Sequence, residues 1–268
     1  MSQPARPIVY HIPICPFSQR LEILMELKGA RDAVDFRTVD ITKPRDEHIL
    51  KLSGGTTALP VMELPNKGAL KESLVLMEFL EDSFPEPAIR RADPYERGLE
   101  SLLITLADPM IGAGYRLILN QDRGKTEELK AAYLKAAENV DAFLRAHSKG
   151  EGPWLFERFG WAEAAFTPFF LRFAFIPYYE GFDLPEDGRF ERLLEWRAAC
   201  LAHPAAQQTS EEEIIKVYYD YAIGTGNGGV PEGREVSSFV FEPHWKDRPM
   251  PPRAKYERRA SDKELGLL

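Results

Sequence analysis

The chain has 268 residues with 34 basic and 42 acidic side chains, a formal net charge of -8, and is 44% hydrophobic and 28% charged. That length allows two domains with cores of their own, and the composition excludes collagen, coiled coil and wholesale disorder. The acidic balance argues against nucleic acid as a partner, and two cysteines far apart, Cys15 and Cys200, exclude a disulfide framework and suit a reducing compartment.

The opening MSQPARPIVY has no cationic stretch followed by an apolar one, and no run of about 18 apolar residues reads as a bilayer span. The expectation is a cytoplasmic protein with no membrane partner. Residues 7–11 are apolar and β-branched and predict a strand; Cys15-Pro16 then opens a helix that carries Phe17, Leu21 and Leu24 and stops at Gly29. A second strand over 34–40 and a short helix over 43–52 follow, ended by Gly54-Gly55. Residues 60–64 and 69–71 form a hairpin about Pro65-Asn66-Lys67-Gly68, and 73–82 return to helical spacing. The order β-α-β-α-β-β-α predicts a small mixed-sheet α/β domain over 1–84, and the prolines of 85–94 mark a linker.

Residues 95–222 read as all-helical. Asp93-Pro94-Tyr95-Glu96 opens a long helix expected to bend at Pro109, and a second helix runs over 126–146. Three more are expected, opening at Gly160-Trp161-Ala162-Glu163, running from Phe190 to Cys200, and opening at the capping box Ser210 to Glu213. Residues 223–268 are rich in Gly and Pro, yet Phe239, Phe241, Trp245 and Tyr256 predict an irregular extension docked on the helices.

Cys15 falls where a strand hands over to a helix, and there the unpaired N–H groups and the helix dipole favour a nucleophilic thiolate. The partner position of a Cys-x-x-Cys motif is Ser18, so a mixed disulfide has to be resolved by an external thiol. A cis bond at Leu59-Pro60 would turn backbone groups outward to pair with an extended ligand, and free N–H groups at Glu72-Ser73 could hold a carboxylate. Gly224 to Gly229 spells G-x-G-x-x-G but follows a helix, so it is not a nucleotide site. Cys200 reads as packing, His11 as structural, and no metal set is expected.

Together, Cys15-Pro16-Phe17, Lys43-Pro44, Leu59-Pro60 and Glu72-Ser73 resemble the glutathione transferase family, and the Cys-Pro-Phe start its omega class. The phrases at 54–60, 112–116 and 248–253 are similar to the bacterial glutathione lyases of lignin β-aryl ether breakdown. The resemblance implies a thioredoxin-like α/β N-terminal domain, an all-α C-terminal domain and a C-terminal extension, assembled as a homodimer. It implies glutathione as co-substrate, with Cys15 the catalytic thiol and Phe17 lining the glutathione site. Lys43 would pair with the glycine carboxylate of glutathione, Leu59 before Pro60 would bond its cysteinyl backbone, and Glu72 and Ser73 would hold its γ-glutamyl end.

The family pattern of Ser/Thr-x-x-Asp is replaced by Gly160-x-x-Glu163. For the second substrate Tyr115, Arg116, Tyr218, Tyr219 and Tyr221 are the candidates, with Tyr218 as the phenol that protonates a carbonyl oxygen. The reaction implied is removal of glutathione from an α-glutathionyl aryl ketone. The alternatives are a general thioltransferase or dehydroascorbate reductase, a conjugating transferase, and a non-enzymatic binding protein of the same fold.

Overall fold

The computed structural model describes residues 6–268; the first five residues, on which part of the reading of MSQPARPIVY falls, lie outside the described residues. Strand β1 (Ile8–His11) leads into α1 (Pro16–Leu27), and β2 (Asp35–Thr38) is followed by α2 (Glu47–Leu52). The hairpin of β3 (Val61–Leu64) and β4 (Gly68–Lys71) then gives way to α3 (Ser73–Ser83). The sheet runs β2-β1-β3-β4, with β1 parallel to β2 and antiparallel to β3. Val9 sits opposite both Phe36 and Met62, and it packs in one apolar cluster with Leu21, Leu24, Leu76 and Leu80 of the two covering helices. A parallel pair requires the crossover that α1 supplies.

Helix α2 starts at Glu47, four residues later than the sequence suggests. Pro44 disfavours a helical Lys43, and Asp46 caps the helix by accepting from the N–H groups of His48 and Ile49. The segment 43–46 is therefore a loop.

The long helix expected at Pro94 is two helices, α4 (Pro94–Thr105) and α5 (Ala107–Leu119). Pro109 lies in the first turn of α5. It offers no N–H to the carbonyl of Thr105, four residues back, and its ring crowds that carbonyl, so the axis breaks ahead of the proline rather than at it. Through both helices the run Pro94–Leu119 is also long and apolar enough to cross a membrane by length and composition, with mean hydropathy 1.4 over an 18-residue window, 44% of it buried inside the fold. This corrects the expectation that no such run exists. Gly, Ala and Pro dilute the stretch to the eye, but its few charges leave the average high.

Helix α6 (Thr126–His147) packs on α5, and α7 (Trp161–Arg172) is buried along its whole length and lies against α1. Helix α8 (Phe175–Glu180) was not foreseen, because it is one short stretch with Pro177 inside it. Helices α9 (Glu191–Ala202), α10 (Glu211–Val217) and α11 (Tyr219–Ala222) complete the set.

Beyond α11 one 3-10 turn at Trp245–Asp247 is the only regular element among the described residues. The extension is nevertheless anchored. Arg234 meets the buried carboxylates of Asp220 and Asp262, Lys255 pairs with Glu180 with both side chains buried, and Phe239, Trp245, Leu265 and Leu267 enter the main apolar cluster.

Candidate active site

Cys15 is the N-cap of α1, with Pro16 at the first helical position, and its thiol is free and half-buried. Its Sγ lies 3.9 Å from the carbonyl oxygen of Leu59, the residue before the cis bond to Pro60. The sulfur thus faces the strand-start backbone of β3 across the head of the helix.

The loop carrying Cys15 is held from beneath by Arg172 at the end of α7. This arginine is fully buried, and its Nε (3.0 Å) and Nη2 (2.6 Å) both donate to the carbonyl of Ile14, while Nη1 donates to Gln19. Its partners are neutral groups. Arg20, also buried, donates from Nη1 to Ser73 Oγ at 3.0 Å and lies over the rings of Phe17 and Phe169; burial lowers its pKa to about 10.

A cavity of about 580 Å3 opens in front of the sulfur. The N-terminal domain contributes Cys15, Phe17, Ile41, Lys43, Arg45 and Leu59, and the helical domain Ile111, Tyr115, Leu119, Tyr218 and Tyr221. The extension adds Asn227 and Phe239. Tyr115, Tyr218, Tyr221 and Phe239 form a cluster of rings, with centroids 5.0 Å apart for Tyr218 and Tyr221 and 5.6 Å for Tyr218 and Phe239. The hydroxyls of Tyr115 and Tyr218 stand 3.5 Å apart. Burial raises the Tyr218 pKa, opposed by the charge of Arg172 beside it, so its phenol is neutral and able to donate at physiological pH. Burial likewise raises the pKa values of Tyr115 and Tyr221.

Among the residues singled out from sequence, Cys15, Phe17, Lys43, Leu59, Tyr115, Tyr218 and Tyr221 line this cavity, and Pro60, Glu72, Ser73, Arg116 and Tyr219 do not. Tyr219 is fully buried on the other side of its short helix, where its hydroxyl accepts the N–H of Ala260 in the extension at 2.6 Å. Adjacent helical positions point about 100° apart, so Tyr218 and Tyr219 cannot both face the same space. Arg116 is exposed on α5 and folds back over Gly112. Ser73 is buried at the head of α3 behind Arg20, and the preceding Glu72 is exposed with φ 70°, a left-handed conformation unusual for a side chain of its size.

Lys43 is largely exposed, and its Nζ is 3.1 Å from the Asp40 carboxylate. Arg45, which sequence reasoning passed over, lines the cavity with Nε and Nη1 unpartnered among the described residues while Nη2 donates to Thr57 O at 3.1 Å. Burial lowers its pKa. Arg172, Asn227 and Phe239 were missed as well. Asn227 lies inside the glycine-rich segment rejected as a nucleotide site, and only its contact with Tyr221 reveals a use for it.

Cys200 is buried on α9, with its thiol pushed well up by burial, which fits packing. His11 is buried beside Phe36, and burial lowers its pKa to about 4, so it is neutral.

A four-stranded mixed sheet presenting a cysteine at a helix head, joined to a helical domain that supplies an aromatic wall, is the two-domain architecture of thiol-dependent transferases. The profile of the glutathione S-transferase N-terminal domain matches residues 14–83 and that of the C-terminal domain residues 127–199, together more than half the chain. The chain belongs to the glutathione S-transferase family and is a glutathione transferase, and that family uses glutathione as co-substrate. Mouse glutathione S-transferase omega-1 is 24% identical over 80% of this chain and 83% of its own. The structure of glutathione transferase Omega 3C from Trametes versicolor superposes with a TM-score of 0.66 at 24% identity over 78% of this chain and 90% of that one. A dehydroascorbate reductase structure from Chlamydomonas reinhardtii gives 0.61 at 22% identity over 82% and 100%. These likenesses of structure show the fold, and the relatives place the chain among the omega-like members.

Proposed function

We propose that the enzyme removes glutathione from an α-glutathionyl aryl ketone of the kind met in lignin β-aryl ether breakdown. The observation that carries this reading is the cavity itself: one thiol at a helix head faces a wall of four aromatic rings that includes a buried, neutral tyrosine. Bound glutathione lies along the N-terminal domain, with its cysteinyl backbone on Leu59 beside Pro60 and Phe17 against it. Its glycine carboxylate meets Arg45 and Lys43, and its γ-glutamyl end sits at Glu72 and Ser73.

In the first step the Cys15 sulfur attacks the sulfur of the conjugate. A disulfide bond forms, the carbon–sulfur bond breaks, and the electron pair stays on the ketone as its enolate, which takes a proton from Tyr218. The enolate is what makes the step feasible, since a simple thioether would expel an unstabilised carbanion. Arg172, beside the Tyr218 hydroxyl, favours the negative charge left on that oxygen. A second glutathione then gives its thiol proton to the Tyr218 oxygen and attacks the mixed disulfide, releasing glutathione disulfide and restoring both the Cys15 sulfur and the phenol. The sum is conjugate plus glutathione giving ketone plus glutathione disulfide.

Single-turnover mass spectrometry without excess glutathione tests the cycle. The expected products are free ketone and a glutathione adduct on Cys15, and Cys15→Ser abolishes both; turnover by the serine variant at the wild-type rate overturns the mechanism. The second reading is a general thioltransferase or dehydroascorbate reductase using the same cysteine cycle, favoured by a Cys15 that is only half-buried and lines the cavity. Comparing the ketone conjugate with a small disulfide and dehydroascorbate separates the two, and absence of any thiol-dependent turnover would leave a binding protein. The family resemblance leads us to expect a homodimer. Light scattering is expected to return twice the chain mass.

A further inference from the structure

We infer that Asn227 is a specificity residue that recognises a hydrogen-bond-accepting oxygen on the aromatic ring of the second substrate; this rests on the aryl reading of the cavity given above. Asn227 stands in the segment after α11, with φ 56°, and lines the cavity beside Phe239. Its Oδ1 accepts the Tyr221 hydroxyl proton at 2.9 Å. With Oδ1 taken by that proton, the side-chain nitrogen keeps its two donors. No acceptor for them is found among the hydrogen bonds of the described residues.

The segment is held from both sides. A Cβ on Gly226 would stand 2.9 Å from the ring of Tyr221, and one on Gly228, at φ +75°, would stand 2.8 Å from the carbonyl oxygen of Ile41 in the N-terminal domain. Glycine at both positions lets the backbone seat against the last helix and the β2–α2 loop at once, which fixes the amide between them. Asn227 is exposed at the cavity wall with Ile41, Tyr221 and Phe239, so its amide donors are open to water in the free enzyme, and a ring oxygen of a ligand that covers them takes the place of that water. A ligand without that oxygen leaves the donors unpaired, and discrimination of this kind is strong where contact with water is lost.

The test is the affinity of the full-length enzyme, saturated with glutathione, for acetophenone and for its three ring-hydroxylated isomers, measured by calorimetry. The expected result is that the best hydroxylated isomer binds about tenfold tighter than acetophenone. Asn227→Asp keeps an acceptor for Tyr221 and removes both donors, so the preference should fall below about twofold; Asn227→Leu should give the same loss, and the near-isosteric aspartate decides if the leucine variant does not fold. A wild type with no preference, or an aspartate variant that retains it, overturns the inference. Binding with the expected preference but no cleavage of a glutathionyl ketone would sink the proposed reaction alone, and a wild type that binds none of these rings sinks both.

Discussion

Lys43 and Arg45 stand two residues apart in one loop and differ in what holds them. The ammonium of Lys43 is already on Asp40, whereas two guanidinium nitrogens of Arg45 are unpartnered among the described residues at the cavity wall. A carboxylate arriving there gains a charge-assisted bond from Arg45 without breaking another. Arg45→Ala is expected to raise KM for glutathione about tenfold and Lys43→Ala by less than about threefold, in steady-state kinetics at low salt. Equal effects would mean that the lysine leaves Asp40 when glutathione binds. Removing the phenol with Tyr218→Phe should slow ketone release by at least about a hundredfold, the usual scale for a lost proton donor, and slow disulfide reduction much less. The family resemblance pointed to Lys43 and the tyrosine cluster near a helix end to Tyr218 as chemical types, but the partner that occupies a charge and the helical turn that sends Tyr219 into the extension are decided by packing.

At the scale of elements, the start of α7 carries half a capping box. Glu163 accepts the N–H of Gly160 at 3.0 Å, but glycine has no side chain with which to return a bond. Glu100 of α4 stands in the place such a side chain would fill, with its carboxyl against the N–H of Trp161, and burial next to Glu163 raises its pKa to about 7. Unfolded, the same group titrates near 4.5. The folded state therefore holds this proton more tightly, and the group's contribution to stability is full below about pH 4.5 and is lost as pH rises through about 7. Glu100→Gln keeps an acceptor and cannot ionise, so relative to wild type it should gain on the order of 3 kcal/mol between pH 4 and pH 8. Urea unfolding at both pH values measures this, and a difference independent of pH would assign the proton elsewhere. The strands, most helices and the cysteine-headed turn were legible because each is written locally, in alternation, caps and prolines. Helix α8 was not, since it is too short to carry a period, and at Pro109 the bend was legible but not the split into two helices ahead of it, since the proline acts on a carbonyl four residues away.

The extension works at the scale of the whole molecule. Its sequence announced aromatic anchors but not their targets, because Arg234 to Asp220 and Lys255 to Glu180 are contacts across long stretches of chain. Arg234 is the shared cation of two buried carboxylates, and one of them, Asp220, also accepts from Ser237 Oγ at 2.8 Å and the Ser238 N–H at 2.7 Å. Arg234→Met strands both acids, and the expected loss is about 3–5 kcal/mol by denaturant unfolding. A loss below about 1 kcal/mol would mean that the serines alone hold Asp220.

Because Asn227 and Phe239 follow every helix in the chain, they are also the last parts of the cavity to leave the ribosome. At ordinary rates of synthesis the thiol and three tyrosines of the wall are made about a second before the segment seated on Ile41 follows. During that interval the nascent protein carries its nucleophile without the segment proposed above to give it selectivity.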